Sequence, residues 1–234
     1  MNTENVVTYV AEEVIEIRYK PSGSFINCSG QVADYIESKG IFPHWEIDQN
    51  TVIFKDSDSE PKQLSAFVSF KNAGFVSFDA PTANFFNDKA SSFWKALENN
   101  GSFKIPPIQR LGLRNRCFVK SKLSFEVLEK KLFDALFSTD ISQKIGGVRK
   151  DLQVIFDLSE GKNKIRLTVG PLKPDEAKLH FRFQSEHFAN TGLFVDIDIY
   201  KEYDGKSADV IPFIREASKS AWNKISIVAG LVGE

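Results

Sequence analysis

The chain has 234 residues with 30 Lys and Arg against 31 Asp and Glu, so its formal net charge is -1. Hydrophobic residues make up 42% of the chain and charged residues 26%, proportions that exclude a disordered or collagen-like protein and predict one large or two small globular domains. A charge this close to zero disfavours a protein whose whole surface is built to bind nucleic acid.

No run reaches the roughly 18 apolar residues that a membrane helix needs, so no interaction with a membrane is expected. Residues 1–5 contain neither a basic nor an apolar region and do not have the pattern of a signal peptide. Cys28 and Cys117 are the only cysteines, too few for a disulfide framework. Together these features predict a protein of the reducing cytoplasm.

The first half alternates between strand and helix patterns. Its predicted elements are a strand at residues 14–19, a helix at 25–39, strands near 45–47 and at 51–55, 64–70 and 74–78, and a helix at 82–99. Gly40 is expected to end the first helix, because glycine accepts the left-handed conformation that is common after a helix. The spacing of Phe86, Ala90, Phe93 and Leu97 gives the second helix an apolar stripe.

The second half repeats this order of elements. Its predicted elements are a strand at residues 108–119, a helix at 124–137, strands at 152–158, 164–169, 179–184 and 193–200, and a last helix. Ser124 is a good N-cap for the first of these helices, and Ser207 for the last. The polar loop at residues 159–163 predicts a hairpin between two of the strands.

Each half therefore has the order strand, helix, three or four strands, helix. This order predicts one unit over residues 1–105 and a related unit over residues 106–234. Short connections favour antiparallel pairing, so we expect an α+β fold with one antiparallel sheet and the helices on one of its faces. The first unit carries a formal charge of -5 and the second +4, a difference that either orients a partner or reflects drift of a solvated surface.

Residues 108–119 form the most informative predicted strand. Alternation places Arg110, Arg114 and Arg116 on one face with Gly112 between them, and no acidic residue occurs from 106 to 122. The opposite face, predicted to join the core, carries Leu111, Leu113, Cys117 and Val119. Three guanidinium groups side by side need carboxylates, phosphates or water around them.

Other predicted strands place charged side chains on the same polar face. These residues are Glu16, Arg18, Asp157, Arg166, His180, Arg182, Asp196 and Asp198. One interpretation is a ladder of cross-strand ion pairs, each contributing about 0.2–1 kcal/mol. The other is an anion or partner site centred on the three arginines. We expect a carboxylate to hold Arg114, with Glu16 as the first choice and Asp196 or Asp198 next, because the first strands of the two units should lie near a common axis.

The order of elements, used twice, resembles the duplicated fold of the TATA-box-binding protein, and the wider helix-grip class uses a similar order once. The strand Glu-Val-Ile-Glu-Ile-Arg-Tyr at residues 13–19, the Arg-x-Gly-Leu-Arg segment at 110–114 and the closing amphipathic helix also resemble an uncharacterised, sporadically distributed bacterial protein family. These resemblances imply an architecture and a bacterial source, and they bring no activity with them.

Few side chains in the sequence point to chemistry. There is no glycine-rich phosphate loop and no nucleophile elbow, and His44, His180 and His187 lack partners at metal-ligand spacing, so neither a metal nor a cofactor is expected. We therefore favour a non-enzymatic interaction module that binds a protein partner or a second copy through the polar sheet face or a sheet edge.

Two alternatives remain open. One is a nucleic-acid-binding protein using the basic second half, which carboxylates on the sheet face disfavour. The other is a small-ligand binder or enzyme with a pocket between sheet and helices.

Overall fold

The structure is a computed structural model that describes residues 8–59, 63–80, 82, 84–138, 140–141, 144, 146–204 and 208–233. The strands are β1 (Tyr9–Tyr19), β2 (His44–Asp48), β3 (Thr51–Lys55), β4 (Leu64–Ser69), β5 (Asn72–Phe78), β6 (Ile108–Lys120), β7 (Val154–Glu160), β8 (Asn163–Leu172) and β9 (Gly192–Glu202). The helices are α1 (Ser24–Ser38), α2 (Phe85–Glu98), α3 (Phe125–Leu136) and α4 (Val210–Val232). Two 3-10 helices, Glu176–Leu179 and Glu186–Ala189, lie between β8 and β9. The α+β class predicted from the sequence is confirmed.

The described strands form a single nine-stranded sheet in the order β2-β3-β4-β5-β1-β6-β9-β8-β7. Every pairing is antiparallel, as expected from the short connections. β1 and β6 pair at the centre, where Val14 lies opposite Arg114 and Glu16 opposite Gly112. The first strands of the two predicted units, β1 and β6, therefore lie side by side. The other neighbour of each is the last strand of its own unit, which is β5 for β1 and β9 for β6.

A large apolar cluster contains buried side chains from all four described helices and from the odd-numbered positions of β1, β6 and β9. α4 packs on β6 and β9, and α2 packs on β5. In the first half, phenylalanine rings interlock with centroid separations between 5.8 and 6.0 Å. These rings belong to Phe42, Phe54, Phe75, Phe86 and Phe93. Rigid aromatic side chains of this kind specify one packing arrangement.

A second, smaller apolar cluster lies at one end of the opposite face of the sheet. Val10, Phe118 and Phe194 from the strands are buried there under Phe181 and Phe188, which come from the segment between β8 and β9. The Phe118 and Phe188 rings meet edge to face at a centroid distance of 5.7 Å. One end of the polar sheet face is therefore covered by the chain itself.

The prediction of a strand at residues 179–184 is wrong. Leu179 ends the first 3-10 helix, and the residues after it take no regular structure before the second 3-10 helix begins. The pattern of aromatic residues alternating with polar ones is that of a strand, but Phe181 and Phe183 pack on Phe188 and not beside a pairing backbone. Tertiary packing therefore decides the conformation of this segment.

Most predicted helix ends agree with the structure. The Ser124 side chain caps α3 by accepting a hydrogen bond from the Val127 backbone N–H at 3.4 Å. Gly40 follows α1 with a φ of 66°, the left-handed conformation that favours glycine. Ser207, predicted to cap the last helix, lies outside the described residues, and Asp209 directly precedes α4. No helix of the described residues combines the length and the apolar character needed to cross a lipid bilayer.

Candidate functional site

A groove of about 340 Å³, here called the polar groove, lies on the polar face of the central strands. Its charged lining comes from β1, β6, β9 and the segment before β9, because alternation sends the even-numbered side chains of these strands away from the large apolar cluster. Five arginines line it, namely Arg18, Arg110, Arg114, Arg116 and Arg182. Three carboxylates line it with them, namely Glu12, Glu16 and Asp198.

Arg114 is held by Asp196. Its Nε and Nη2 atoms donate to the two carboxylate oxygens of Asp196 at 2.8 and 2.5 Å, which is a bidentate pair. This hydrogen bonding raises the pKa of the Arg114 guanidinium above its usual value. The prediction of Glu16 as the first choice of partner for Arg114 is therefore wrong. Asp196, one of the two next choices, is the partner that the structure contains.

Glu16 faces a different set of groups. Glycines lie directly opposite it on both neighbouring strands, Gly112 on β6 and Gly74 on β5. Its carboxylate accepts hydrogen bonds from Arg18 Nε at 3.0 Å and from Asn72 Nδ2 at 2.8 Å. Burial alone would raise the pKa of Glu16, but the hydrogen bonds from Arg18 and Asn72 and the charges of Arg18 and Arg110 together hold it below its usual value.

Glu12 joins two of the arginines at the covered end of the polar groove. Its carboxylate accepts hydrogen bonds from Arg182 Nε and Nη2 at 3.1 and 2.9 Å and from the Arg182 backbone N–H at 3.2 Å. Arg116 Nη1 donates to the same carboxylate at 3.4 Å. Arg182 therefore reaches the predicted site from an irregular segment and not from a strand.

His180 belongs to this end through its ring and its backbone. The imidazole lies over Phe194 with a centroid distance of 4.6 Å, and the His180 carbonyl oxygen accepts a hydrogen bond from Arg116 Nη1 at 3.4 Å. Sheets that bind nucleic acid can insert phenylalanine side chains between bases, but Phe194, on the polar face of β9, is buried beneath His180 and Phe181. It is therefore not available to insert between bases.

Arg110 and Asp198 form the loosest contact in the polar groove. The Arg110 Nη2 and Asp198 Oδ2 atoms are 3.6 Å apart, which is a salt bridge without a hydrogen bond. The Arg110 guanidinium lies over the Tyr200 ring, 4.3 Å from its centroid. Burial raises the pKa of Asp198, although the charges of Arg110 and Arg114 act in the opposite direction.

A second groove of about 760 Å³ continues from the polar groove toward β8. The two grooves share Arg18, Arg110 and Asp198, and the second extends to Lys164 and Tyr200. Every predicted site residue thus lies on one face. Six line the polar groove directly, while Asp196 and His180 contact its arginines.

A buried polar cluster lies on the core face of β1 and β6, and it was not predicted from the sequence. Glu13 Oε1 accepts hydrogen bonds from Trp222 Nε1 at 3.1 Å, Ser218 Oγ at 3.3 Å and Asn115 Nδ2 at 3.4 Å. Burial raises the pKa of Glu13 to about 7, and the hydrogen bonds from Trp222 and Ser218 offset only part of this effect. A signal was present, since Glu13 and Asn115 interrupt the apolar faces of β1 and β6 at positions that lie opposite each other.

The remaining reactive side chains offer no further site. Cys117 is fully buried on the core face of β6, as predicted, and Cys28 is buried on α1. Burial raises the pKa of both thiols, which disfavours the reactive thiolate. Among the described residues, no group of three or more His, Cys, Asp or Glu side chains is arranged to hold a metal ion.

Comparisons with known proteins give no family for this chain, since neither a protein-family model nor a curated protein matches it. The site must therefore be interpreted from its own geometry.

Proposed function

We propose that this protein is a non-enzymatic binding module whose polar groove receives an acidic segment of a protein partner. The observation that carries the proposal is the set of five arginines in one groove, four of which donate hydrogen bonds to carboxylates of the same face. An arginine held in this way keeps donors for a ligand, because a guanidinium has five N–H groups in a fixed plane.

Pre-organisation is the physical advantage of this arrangement. A free arginine side chain loses up to about 2 kcal/mol of conformational entropy when it is immobilised on binding. Asp196, Glu12 and Glu16 already restrain Arg114, Arg182 and Arg18, so part of this cost is met during folding. Counting Asp196, four carboxylates oppose five guanidinium groups, which leaves an excess of positive charge for an acidic partner.

The same carboxylates make nucleic acid the weaker alternative. Affinity for nucleic acid rests on neutralising many phosphates, and because Glu12, Glu16, Asp196 and Asp198 offset four of the five guanidinium groups, the excess positive charge in the polar groove is too small for that. Phe194 is buried, so this aromatic side chain of the sheet face cannot insert between bases. We therefore expect weak binding of DNA or RNA at physiological salt.

A direct test measures binding of a short poly-glutamate peptide by fluorescence anisotropy at low and moderate salt. We expect saturable binding that weakens with salt and is lost in Arg114→Glu and in Arg182→Glu. Lys130→Glu is the matched control, because Lys130 is an exposed lysine on α3 that, within the part of the chain that the structure describes, pairs only with Asp134 of the same helix. Equal binding by all three variants would contradict the proposal. Tight binding of duplex DNA with a steep salt dependence would favour the nucleic-acid alternative instead.

Self-association through a sheet edge is a second candidate, supported by exposed apolar residues on both edge strands. Trp45 and Ile47 are exposed on β2, and Ile155 and Leu158 are exposed on β7. An edge strand of this kind retains backbone groups that can pair with a second copy. Sedimentation velocity tests this: Ile155→Lys should abolish a dimer, while Val127→Lys, at an exposed position of α3, should preserve it. A concentration-independent monomer would contradict it.

We also propose that the two halves are duplicated units of one fold that resembles the TATA-box-binding protein, with the helices on one face of the sheet. The mirrored order of strands on either side of the β1–β6 pair supports this, as does the presence of side chains from all four described helices in one apolar cluster. Membership of the uncharacterised bacterial family and a cytoplasmic location remain predictions. An experimental structure in which residues 9–98 do not superpose on residues 108–232 would overturn the duplication.

A further inference from the structure

Arg110 differs from the other four arginines of the polar groove. Within the described residues its guanidinium donates no hydrogen bond to a carboxylate, and its Nε atom is buried without any hydrogen-bond partner. The side chain as a whole is still 25% exposed, so the guanidinium reaches the groove. The two Nη groups are not buried in this way and donate no hydrogen bond to a described carboxylate, so they can donate to a ligand in the groove.

The surroundings of Arg110 leave room for such a ligand. Tyr200 supports one side of the guanidinium and limits its movement. Gly112, the next residue on the same face of β6, presents no side chain between Arg110 and Arg114. A Cβ atom at Gly112 would lie 3.7 Å from Arg110 Nη2, in ordinary contact, so glycine leaves the space beside the guanidinium unfilled.

Two further arginines border this space. Arg18 lies directly opposite Arg110 on β1, and Arg114 follows Gly112 along β6. Both are about half exposed while their carboxylate partners hold them in place. Three carboxylates lie near enough to Arg110 to feel its charge, namely Glu16, Asp198 and Glu202. Glu16 and Glu202 are neutralised by ion pairs with Arg18 and Lys164, so Asp198, on which Arg18, Arg110 and Arg114 all act, is the carboxylate that most directly opposes an incoming anion.

We infer that Arg110, with Arg18 and Arg114 beside it above Gly112, forms an oxyanion subsite that binds one carboxylate or phosphate group of the ligand. The inference rests on the proposed function, since it names the point in the polar groove where the charge of an acidic partner is recognised. Planar guanidinium groups bind both kinds of oxyanion through paired hydrogen bonds, so carboxylate and phosphate share this chemistry.

The test titrates the protein separately with inorganic phosphate and with succinate at low ionic strength, following backbone amide shifts by NMR. We expect saturable shifts in β6 around Gly112 for at least one anion, and the stronger of the two identifies the source of the oxyanion. Arg110→Ala should weaken binding about tenfold, since it removes a hydrogen bond between charged groups. Arg110→Lys should be intermediate, because lysine keeps the charge and loses the planar fork.

Two further variants separate a local subsite from general attraction. Gly112→Val fills the space beside Arg110 with a residue that favours strands, and it should weaken anion binding while every arginine is kept. Arg215→Ala is the matched control, because Arg215 is an exposed arginine on α4, which packs in the large apolar cluster and not at the polar groove, and the variant should bind anions within about twofold of the wild type. Unchanged circular dichroism confirms that each variant is folded.

The outcomes distinguish this inference from the proposed function. Linear, non-saturating shifts with both anions, or equal affinities for wild type and Arg110→Ala, would overturn the subsite. If poly-glutamate still binds in an Arg114-dependent manner in that case, the proposed function survives without it. If phosphate binds in an Arg110-dependent manner and poly-glutamate does not bind at all, the subsite stands and the protein-partner proposal fails.

Discussion

Glu12 and Glu13 are neighbours on β1 with opposite environments. Each is only 1% exposed, yet one lies on the polar face and the other on the core face. Glu12 accepts hydrogen bonds from the guanidinium groups of Arg116 and Arg182, whereas the described donors to Glu13 are the neutral groups of Trp222, Ser218 and Asn115. Equal burial therefore has different consequences: a counter-charge stabilises an ionised carboxylate, and neutral donors stabilise it far less.

The largest expected effect is the pH dependence that Glu13 confers on stability. Its pKa rises from 4.5 to about 7 on folding, so the folded state holds a proton that the unfolded chain has released. The stabilising contribution is fully present below pH 4.5 and is lost as the pH rises through about 7. By linkage, the full loss is at most about 3 kcal/mol.

Glu13→Gln tests this directly, because glutamine has a similar shape and does not titrate. Urea denaturation should give similar stabilities for wild type and variant near pH 4.5, and a more stable variant at pH 8. The difference should grow between pH 4.5 and about 7 and level off above that pH. A constant difference from pH 4.5 to 8 would show that Glu13 stays ionised, and the comparison with Glu12 would then lose its basis.

Glu12→Gln should have the opposite sign at pH 8. It removes the charge shared by Arg116 and Arg182 and leaves two guanidinium groups side by side at the covered end of the polar groove. We expect a loss of about 1–3 kcal/mol in the free energy of unfolding, because charged hydrogen bonds are lost at a buried site. Urea denaturation at pH 8 measures it, and a variant as stable as the wild type would mean that solvent replaces Glu12 without cost.

Arg114 should have a smaller effect, because its side chain is about half exposed. Arg114→Ala should lower the free energy of unfolding by about 1 kcal/mol, since Asp196 is mostly buried and loses a bidentate partner. Arg114→Lys should recover part of that loss through its charge alone. Thermal unfolding of both variants checks the order, and unchanged melting temperatures for both would assign the pair to binding and not to stability.

The smallest effect is expected for Arg166→Ala. Its pair with Asp157 is exposed on both sides, with a nitrogen–oxygen distance of 3.4 Å. Pairs of this kind contribute about 0–1 kcal/mol, so the change in unfolding free energy should stay near the lower end of that range. A loss of unfolding free energy as large as that of Arg114→Ala, measured by urea denaturation, would show that the solvent exposure of these ion pairs does not determine how much each contributes to stability.

The sequence alone predicted much of the candidate site, because the site is built on strands. Alternation places Arg110, Arg114 and Arg116 on one face whatever the neighbouring strands are, and the same rule assigns Asp196 and Asp198 to that face. It does not predict which carboxylate meets which arginine. Arg114 lies opposite Asp198 but pairs with Asp196, two residues along β9, while Arg116, which lies opposite Asp196, pairs with Glu12 on β1 instead.

Local chemistry determined the α+β class, most strand and helix positions, the Ser124 cap and the turn at Gly40, since each depends on periodicity or on the conformational preference of a few adjacent residues. Tertiary structure alone decided that residues 179–184 leave the sheet, that Glu12 joins Arg116 to Arg182, and that Glu13 lies under α4 among neutral donors. These features join residues that are more than 60 positions apart in the chain. Such contacts depend on strand order and register, which the local pattern of side chains does not encode.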